Sequence, residues 1–392
     1  MLNTSFSPWP SFTTEEADAV QRVLRSNKVN YWTGTEGREF EKEFAAWAGT
    51  AHAVALGNGT LALDVALKAL GIGPGDEVVV TPRTFIASVS CVVSAGATPV
   101  FADVDAASGN LSAATIARVI TPRTRAVIAV HLAGWPCDMD PIMALAGQHG
   151  FKVIEDCAQA HGARYKGRSV GAIGHVGAWS FCQDKIMTTG GEGGMVTTDD
   201  PALWRAMWEY KDHGKSHEAV YERSHPPGFR WLHESFGTNW RMLELQSVIG
   251  RLQLARMADW TARRTRHAEA ILGAARAQPV VRVPVLPQGS VHAHYKAYVY
   301  VERERLAPGW SRDRIVNEIA ALGVPCFQGS CSEVYLEKAF DGTGWRPAER
   351  LPVARELGET SVMFLVHPTL TDEEIERTCA AMTQVFSQAL AV

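Results

Sequence analysis

From about residue 50 to residue 156 the chain alternates between apolar, β-branched runs of strand length and stretches with helical spacing. "DEVVVTP" (76–82) reads as a strand and "FIASVSCVVSAG" (85–96) as a helix closed by Gly96. "TPVFADV" (98–104), "TRAVIAVHL" (124–132) and "FKVIED" (151–156) read as further strands. "SAATIARVI" (112–120) and "DPIMALAGQHG" (140–150) read as the helices between them. A chain that repeats this rhythm is confined to the α/β class, with a mostly parallel sheet and helices on both faces. In such sheets ligands sit outside the carboxyl ends of the strands. That singles out Thr81 to Phe85, His131, and Asp156 to Gln159.

The rhythm stops after "GGMVTTDD" (193–200). Residues 211–240 are rich in His, Arg, Pro and aromatics and show no clean period, the mark of a functional loop or a disordered one. One long helical pattern follows at about 241–276. The tail then gives a strand, "HYKAYVYVE" (294–302), and helices near 311–322 and 371–389. The expected organisation is a large domain over 1–259 and a smaller α+β domain over 260–392, with N-terminal helices packing on the latter.

Composition excludes several classes. A net charge of −4 gives no electrostatic footprint for nucleic acid or an anionic membrane. No apolar run approaches the roughly 20 residues that span a bilayer. "MLNTSFSPWPSF" has neither a basic start nor an apolar core, so it does not read as a secretion signal. The 7 cysteines are scattered singly, without a CxxC pair that would suggest zinc or redox work. No metal site is expected, and free thiols point to the reducing cytoplasm.

Three stretches carry chemistry. "ALGNGTLALDVALKALGIG" (55–73) opens a helix at Gly59–Thr60, and a helix N-terminus offers free N–H groups and positive dipole to a phosphate. Gly57, Gly59 and Ala62 also fit the dinucleotide pattern GxGxxG/A, but that pattern wants an acidic residue at the end of the next strand, where this chain has "TPR". Taken alone, an unliganded helix cap explains the stretch better. "VIEDCAQAHG" (153–162) ends a buried strand on Asp156. A buried carboxylate needs an arginine, a metal or a protonated ring nitrogen beside it; a structural salt bridge is the plain alternative. Gln159 and His161 follow, the histidine being either a ligand or a packed, hydrogen-bonded core residue.

"SFCQDKIMTTGGEGGM" (180–195) holds a single lysine, Lys185, five residues after Ser180 and just before a glycine-rich turn. Phe181, Cys182, Ile186 and Met187 surround it rather than the acidic residues of a wet helix face. Buried, such an amine becomes a nucleophile able to form a Schiff base. Ser180 adds a hydroxyl for a phosphate. A lysine aldehyde trap, a carboxylate for a pyridinium nitrogen and a helix end for a phosphate together meet the requirements of pyridoxal 5'-phosphate.

The motifs "GREFEKEFAAWAG", "GNGTLALDVALKALGIGPGDEVVV", "GATPVFADVD", "VHLAGWPCDMD", "VIEDCAQAHGARYKGRSVGAIG", "SFCQDKIMTTGGEGGMVTT" and "GTNWRMLELQSVIGRLQL" run in this order along most of the chain. In that order they resemble the DegT/DnrJ/EryC1/StrS sugar aminotransferases, which have the aspartate aminotransferase type of fold. The resemblance implies that Lys185 holds the cofactor as a Schiff base and that Asp156 pairs with the pyridinium. It implies that Gln159 contacts the ring hydroxyl, that Phe85 stacks on the ring, and that Gly59, Thr60 and Ser180 hold the phosphate. It places Asn239 across a homodimer interface, at the partner's phosphate. It further implies transfer of an amino group from glutamate to a nucleotide-linked ketosugar. Some relatives carry histidine at the Schiff-base position and dehydrate sugars instead; Lys185 argues for transamination. A regulatory protein on the same fold is the third reading, against which the intact Lys185–Asp156 pair stands. The chain departs from the family at Phe85, often tryptophan or tyrosine, and at "QGSCSEVYLEKAF" (328–340), which replaces a substrate-contacting stretch. The nucleotide, the sugar and the aminated carbon are left open.

Overall fold

Val78 to Val80, Ala126 to Ala129, and Val153 and Ile154 have no exposed surface, because helices cover both faces of the strands they form. The computed structural model describes residues 6–391. Its strands are β1 (His52–Leu56), β2 (Glu77–Val80), β3 (Thr98–Phe101), β4 (Thr124–Val130), β5 (Lys152–Asp156), β6 (Arg164–Tyr165), β7 (Arg168–Ser169), β8 (Val176–Ser180) and β9 (Gly194–Thr198), then β10 (Val281–Arg282), β11 (Ser290–Val291), β12 (Ala297–Val301), β13 (Cys326–Phe327) and β14 (Ser361–Phe364). The main sheet has 7 strands in the order β1-β9-β8-β5-β4-β2-β3. Only β9 runs against the rest, pairing antiparallel with both β1 and β8. The expected mostly parallel sheet is therefore present.

Alternate residues of each strand feed two cores. Val78, Val80, Ala126 and Ile128 pack with Leu63 and Ala66 of helix Gly59–Ala69 and Val92 of helix Ala87–Ser94. Val79, Val127, Ala129 and Val153 pack on the other face with Ile116, Ile142 and Ala146. A third cluster sets Phe40 and Phe44 of helix Glu36–Ala48 against Trp179, Phe181 and Met195. Helix starts follow local chemistry: Thr13 and Thr371 each close a capping box with the glutamate three residues on. Gly49 and Gly150 end helices in the left-handed region, at φ 73° and 76°.

The C-terminal part differs from the sequence reading. The pattern at 241–276 is two helices, Glu244–Ala255 and Met257–Arg276, meeting at Arg256. The first packs Val248 and Ile249 on Ala19 and Val23, and the second packs Ala268 and Ile271 on the C-terminal core. Periodicity alone reads through such a joint, because both halves keep the same spacing. Arg256 is tied to Glu15 at 2.6 Å and to Glu16 at 3.1 Å. The single strand expected at 294–302 is one member, β12, of a four-stranded antiparallel sheet in the order β10-β12-β14-β13. β10 and β13 are two residues each, too short to leave a period. Residues 211–240, read as an irregular loop, contain one short helix, His217–Tyr221. Among the described residues no helix is long and apolar enough to cross a membrane.

Candidate active site

Lys185 lies in the turn that leaves β8, with its side chain 15 % exposed. Its Nζ is 4.0 Å from Asp184 Oδ1 and 5.3 Å from the centre of the Tyr295 ring. The turn is held by the Lys185 amide on the Cys182 carbonyl (3.1 Å) and by the Trp9 indole, which donates to the Lys185 carbonyl at 2.8 Å. Gly190 and Gly191, at φ 83° and 120°, carry the chain back towards β9 through a region that side chains disfavour. The lysine is thus fixed at its backbone, with the Asp184 carboxylate at the edge of ion-pair range of its amine.

Asp156 ends β5, buried. The Ser88 hydroxyl donates to Oδ2 at 2.7 Å and the Ala158 amide to Oδ1 at 3.1 Å. The ion pair at this strand end belongs to its neighbour: Glu155 Oε2 is 2.9 Å from His131 Nε2, both fully buried. The plain salt-bridge reading therefore fits Glu155 and not Asp156. Glu155 also accepts the amides of Gly171, Ile173 and Gly174 at 2.9, 2.8 and 2.6 Å. Burial alone would raise its pKa, but these amides and His131 bring it below the usual value. Burial likewise disfavours the charged imidazole of His131, yet Cys137, Cys157 and Glu155 together raise it well above the ordinary value. With Cys157 these two form the one cluster of metal-ligand type among the described residues, already spent on the ion pair and its amides.

The helix Gly59–Ala69 begins with Asn58, whose side chain accepts the Leu61 amide at 3.0 Å. The Gly59 and Thr60 amides, first in the helix, have no acceptor within it. Gly59 lies against Ser180 at the end of β8 so closely that a Cβ on it would stand 2.5 Å from the Ser180 Cβ. The dinucleotide pattern fails here, since Gly57 is spent on the Trp240 carbonyl (2.9 Å) and Ala62 is sealed in the core. Gln159 accepts the Ala133 amide through Oε1 at 2.7 Å, which leaves its Nε2 as a donor. Phe85, on the loop after β2, is a large ring left 68 % exposed.

The structure thus gathers Lys185, Asp156, Gln159, Phe85, Ser180, Gly59 and Thr60 onto elements at the carboxyl edge of the sheet. Asn239 is exposed and bridged to Asp212, next to the Trp240 carbonyl that holds Gly57 of the same chain. These residues fit pyridoxal phosphate. A cradle with no room for a Cβ suits a phosphate, and a buried carboxylate held by two donors but no cation suits a protonated ring nitrogen.

Residues 10–383 match the DegT/DnrJ/EryC1/StrS aminotransferase family. The chain belongs to that family. This aminotransferase is 37 % identical over 386 residues to the GDP-perosamine synthase of Caulobacter vibrioides, covering 96 % of each chain. It is 35 % identical over 366 residues to the dTDP-3-amino-3,4,6-trideoxy-alpha-D-glucose transaminase of Streptomyces venezuelae, covering 93 % of this chain and 90 % of that one. The X-ray structure of an aminotransferase from Psychrobacter cryohalolentis superposes with a TM-score of 0.97 at 67 % identity, covering 98 % of this chain and 99 % of that one.

Ser88 escapes sequence reasoning, whereas His161 is packed as one of its two readings has it but without the hydrogen bond that reading expects. Ser88 is an ordinary helix serine until the fold sets it on Asp156. His161 packs between Trp179 and Phe181, at 5.2 and 5.7 Å, with no hydrogen-bond partner on either ring nitrogen. Burial first, then Lys185 and Arg264, hold its pKa at about 3, so the ring is neutral. Arg83 and Arg264 are buried cations, and the half-buried Lys296 lies in the same region of the molecule. The signal for Arg83 is its place in "TPRTF", an arginine at a strand end that the sheet rule already singles out.

Proposed function

We propose that this aminotransferase uses pyridoxal 5'-phosphate to move an amino group from glutamate to the keto carbon of a nucleotide-linked sugar. Family membership supports the transamination. The observation that carries the cofactor is the pairing of Asp156, buried without a cation, with a cradle between Gly59 and Ser180 that a Cβ would fill. When bound, pyridoxal phosphate supplies an aldehyde carbon for amine exchange and a ring that accepts the electron pair left when a carbon loses its proton.

The chain's own residues do the rest. Lys185 Nζ would hold the cofactor through its aldehyde carbon, and the same amine, when free, would carry the proton from the donor's Cα. Asp156 keeps the ring nitrogen protonated, and Ser88 and Ala158 keep Asp156 oriented. Gln159 donates from Nε2 to the ring hydroxyl while Ala133 fixes its other end. Phe85 covers the ring face and shields it from water. Gly59, Thr60 and Ser180 bind the phosphate.

Trp231 and Phe236 are 82 % and 99 % exposed on the 211–240 segment, and Phe229 beside them is 77 % exposed. Apolar aromatics so exposed mark a protein interface, which supports a homodimer in which Asn239 completes the partner's phosphate site. A boundary near residue 260 between a large and a small domain accords with the main sheet ending at Thr198 and the antiparallel sheet beginning at Val281. The 7 cysteines are all free thiols, as in a reducing compartment, and the reading places the enzyme in the cytoplasm.

The test is spectroscopic. Purified protein loaded with pyridoxal phosphate should show the absorbance of a lysine-bound cofactor, and L-glutamate should bleach it. Lys185→Ala should keep its fold by circular dichroism, lose that band and lose all turnover. A screen of keto-nucleotide sugars by mass spectrometry then identifies the acceptor. Turnover in Lys185→Ala, or a band that no amino acid bleaches, overturns the reading.

A further inference from the structure

Arg83 is 1 % exposed, yet its guanidinium meets no carboxylate. Nη1 donates to the Tyr300 hydroxyl at 3.0 Å and lies against Gly109, where a Cβ would stand 2.5 Å away. The rings of Tyr298 and Tyr300 flank it, centred 5.7 and 5.6 Å from Cζ. Nε and Nη2 have no partner. These two nitrogens form one edge of the guanidinium, with parallel N–H bonds spaced to meet both oxygens of a carboxylate. A buried cation with its two-donor edge unused is costly in the protein alone.

Arg83 lines a cleft between the loop Leu132–Trp135 and the segment His292–Tyr300. The same lining adds positive charge and donors. Lys296 lines it, and burial, then Arg264, lower its pKa to about 8. His292 and His294 line it as well, stacked at 4.2 Å, with His294 held at φ 47°. Arg264 stands behind with its own Nε and Nη2 unpartnered, and burial lowers its pKa to about 9. The cleft adjoins the proposed cofactor site, because Ala133 in its wall is bonded to Gln159 and Lys296 is near enough to Lys185 to be influenced by it. The segment 328–340 borders it through Ser330, whose amide donates to the Tyr298 hydroxyl at 2.9 Å.

We propose that Arg83, with Lys296 in the same cleft, is a carboxylate-binding anchor for a substrate of this aminotransferase. The inference rests on the proposed function for the word substrate. The free edge of Arg83 and the cation-lined cleft stand apart from it. Two substrates can bring a carboxylate here: the dicarboxylic amino donor, and a sugar oxidised to the acid at its terminal carbon. Either is held by the same two N–H bonds, and the positive wall rejects neutral analogues that leave those donors unpaired.

The experiment titrates the cofactor-loaded enzyme and its Arg83→Met and Arg83→Lys variants with L-glutamate, D-glucuronate and inorganic pyrophosphate, by calorimetry and thermal shift. Arg83→Met should weaken one of the two carboxylates at least tenfold and leave pyrophosphate unchanged. A loss confined to L-glutamate assigns the anchor to the amino donor; a loss confined to D-glucuronate assigns it to an acidic sugar. Arg83→Lys keeps the charge but not the two-donor edge and should weaken the same ligand about fivefold. Tyr300→Phe, which frees Nη1 without removing the charge, gives a smaller loss and keeps the test alive if Arg83→Met misfolds. Equal binding of both carboxylates by wild type and every variant, including no binding at all, overturns the proposal. So does loss of pyrophosphate alone, which would make this a phosphate site. If L-glutamate binds but never changes the cofactor's absorbance, the aminotransferase reading fails while the anchor stands.

Discussion

The hydroxyl of Ser88 stands 2.7 Å from Oδ2 of Asp156, joining a helix on one face of the sheet to the buried end of β5. A hydrogen bond to a charged group contributes about 1.5–3 kcal/mol. Ser88→Ala should therefore slow the amino-donor half-reaction by about ten- to a hundredfold, since each 1.36 kcal/mol is tenfold in rate. Asp156→Asn, which removes the charge, should slow it by further orders of magnitude with cofactor still bound. Stopped-flow absorbance measures both. Parent rates in Asp156→Asn would make that residue structural.

Gly59 has no room for a Cβ against Ser180. Gly59→Ala should push the helix end away from β8, at a cost of about 1–3 kcal/mol as in other overpacked sites. Titration of cofactor-free protein with pyridoxal phosphate should show Kd raised about tenfold or more, with Lys185 and Asp156 untouched. Unchanged affinity would take the phosphate elsewhere.

The His131–Glu155 pair makes a prediction about pH. Breaking a buried pair by removing one partner costs about 3–5 kcal/mol, so Glu155→Gln should lower stability by that order in urea unfolding. His131 is raised in the folded state. Its contribution is therefore whole below the free imidazole value of about 6.5 and declines as pH climbs towards the folded value. Glu155 is lowered, so its contribution is whole above about 4.3, the free value, and is lost as pH falls towards the folded one. The gap between wild type and Glu155→Gln should be widest between about pH 5 and 6.5 and should narrow on both sides. A gap independent of pH would show that the pair does not titrate as stated.

Asn239 offers a test of shared sites. Lys185→Ala and Asn239→Asp should each be inactive, the second because a carboxylate would face the cofactor's phosphate. If Asn239 serves the partner, both lesions in a mixed dimer fall on one site and leave the other intact. Activity should then return on mixing, up to one competent site per heterodimer confirmed by native mass spectrometry. No recovery would mean that Asn239 serves the turn at Gly57 of its own chain, beside which it lies.

What the sequence disclosed and what it concealed follow from how each residue earns its place. The strands from 77 to 156 are legible because burial on both faces demands unbroken apolar runs. Lys185 is legible because an amine among Phe181, Cys182, Ile186 and Met187 has no reason to be there but chemistry. The joint at Arg256 is hidden because both helices keep one period. β13 and β14 are hidden because short strands are specified by partners distant in sequence: Cys326 pairs with Phe364. Ser88 carries no local signal of role, and Arg83 only its place at a strand end. The one becomes a carboxylate donor and the other an unpartnered cation only when the fold sets Asp156 and Tyr300 beside them.

The lone antiparallel strand β9 fixes an order of events in the making of the protein. Among the described strands β1 pairs with β9 alone, with one further bridge from Leu56 to Arg241, so on the ribosome its backbone donors wait for about 140 further residues. At about 5–20 residues per second that is a delay on the order of ten to thirty seconds, during which an apolar strand lies open to other nascent chains. Gly59 and Ser180 are separated by about 120 residues, so the two sides of the proposed phosphate cradle meet only late in synthesis. On the proposed reading of the site, cofactor capture therefore comes only after the sheet is complete.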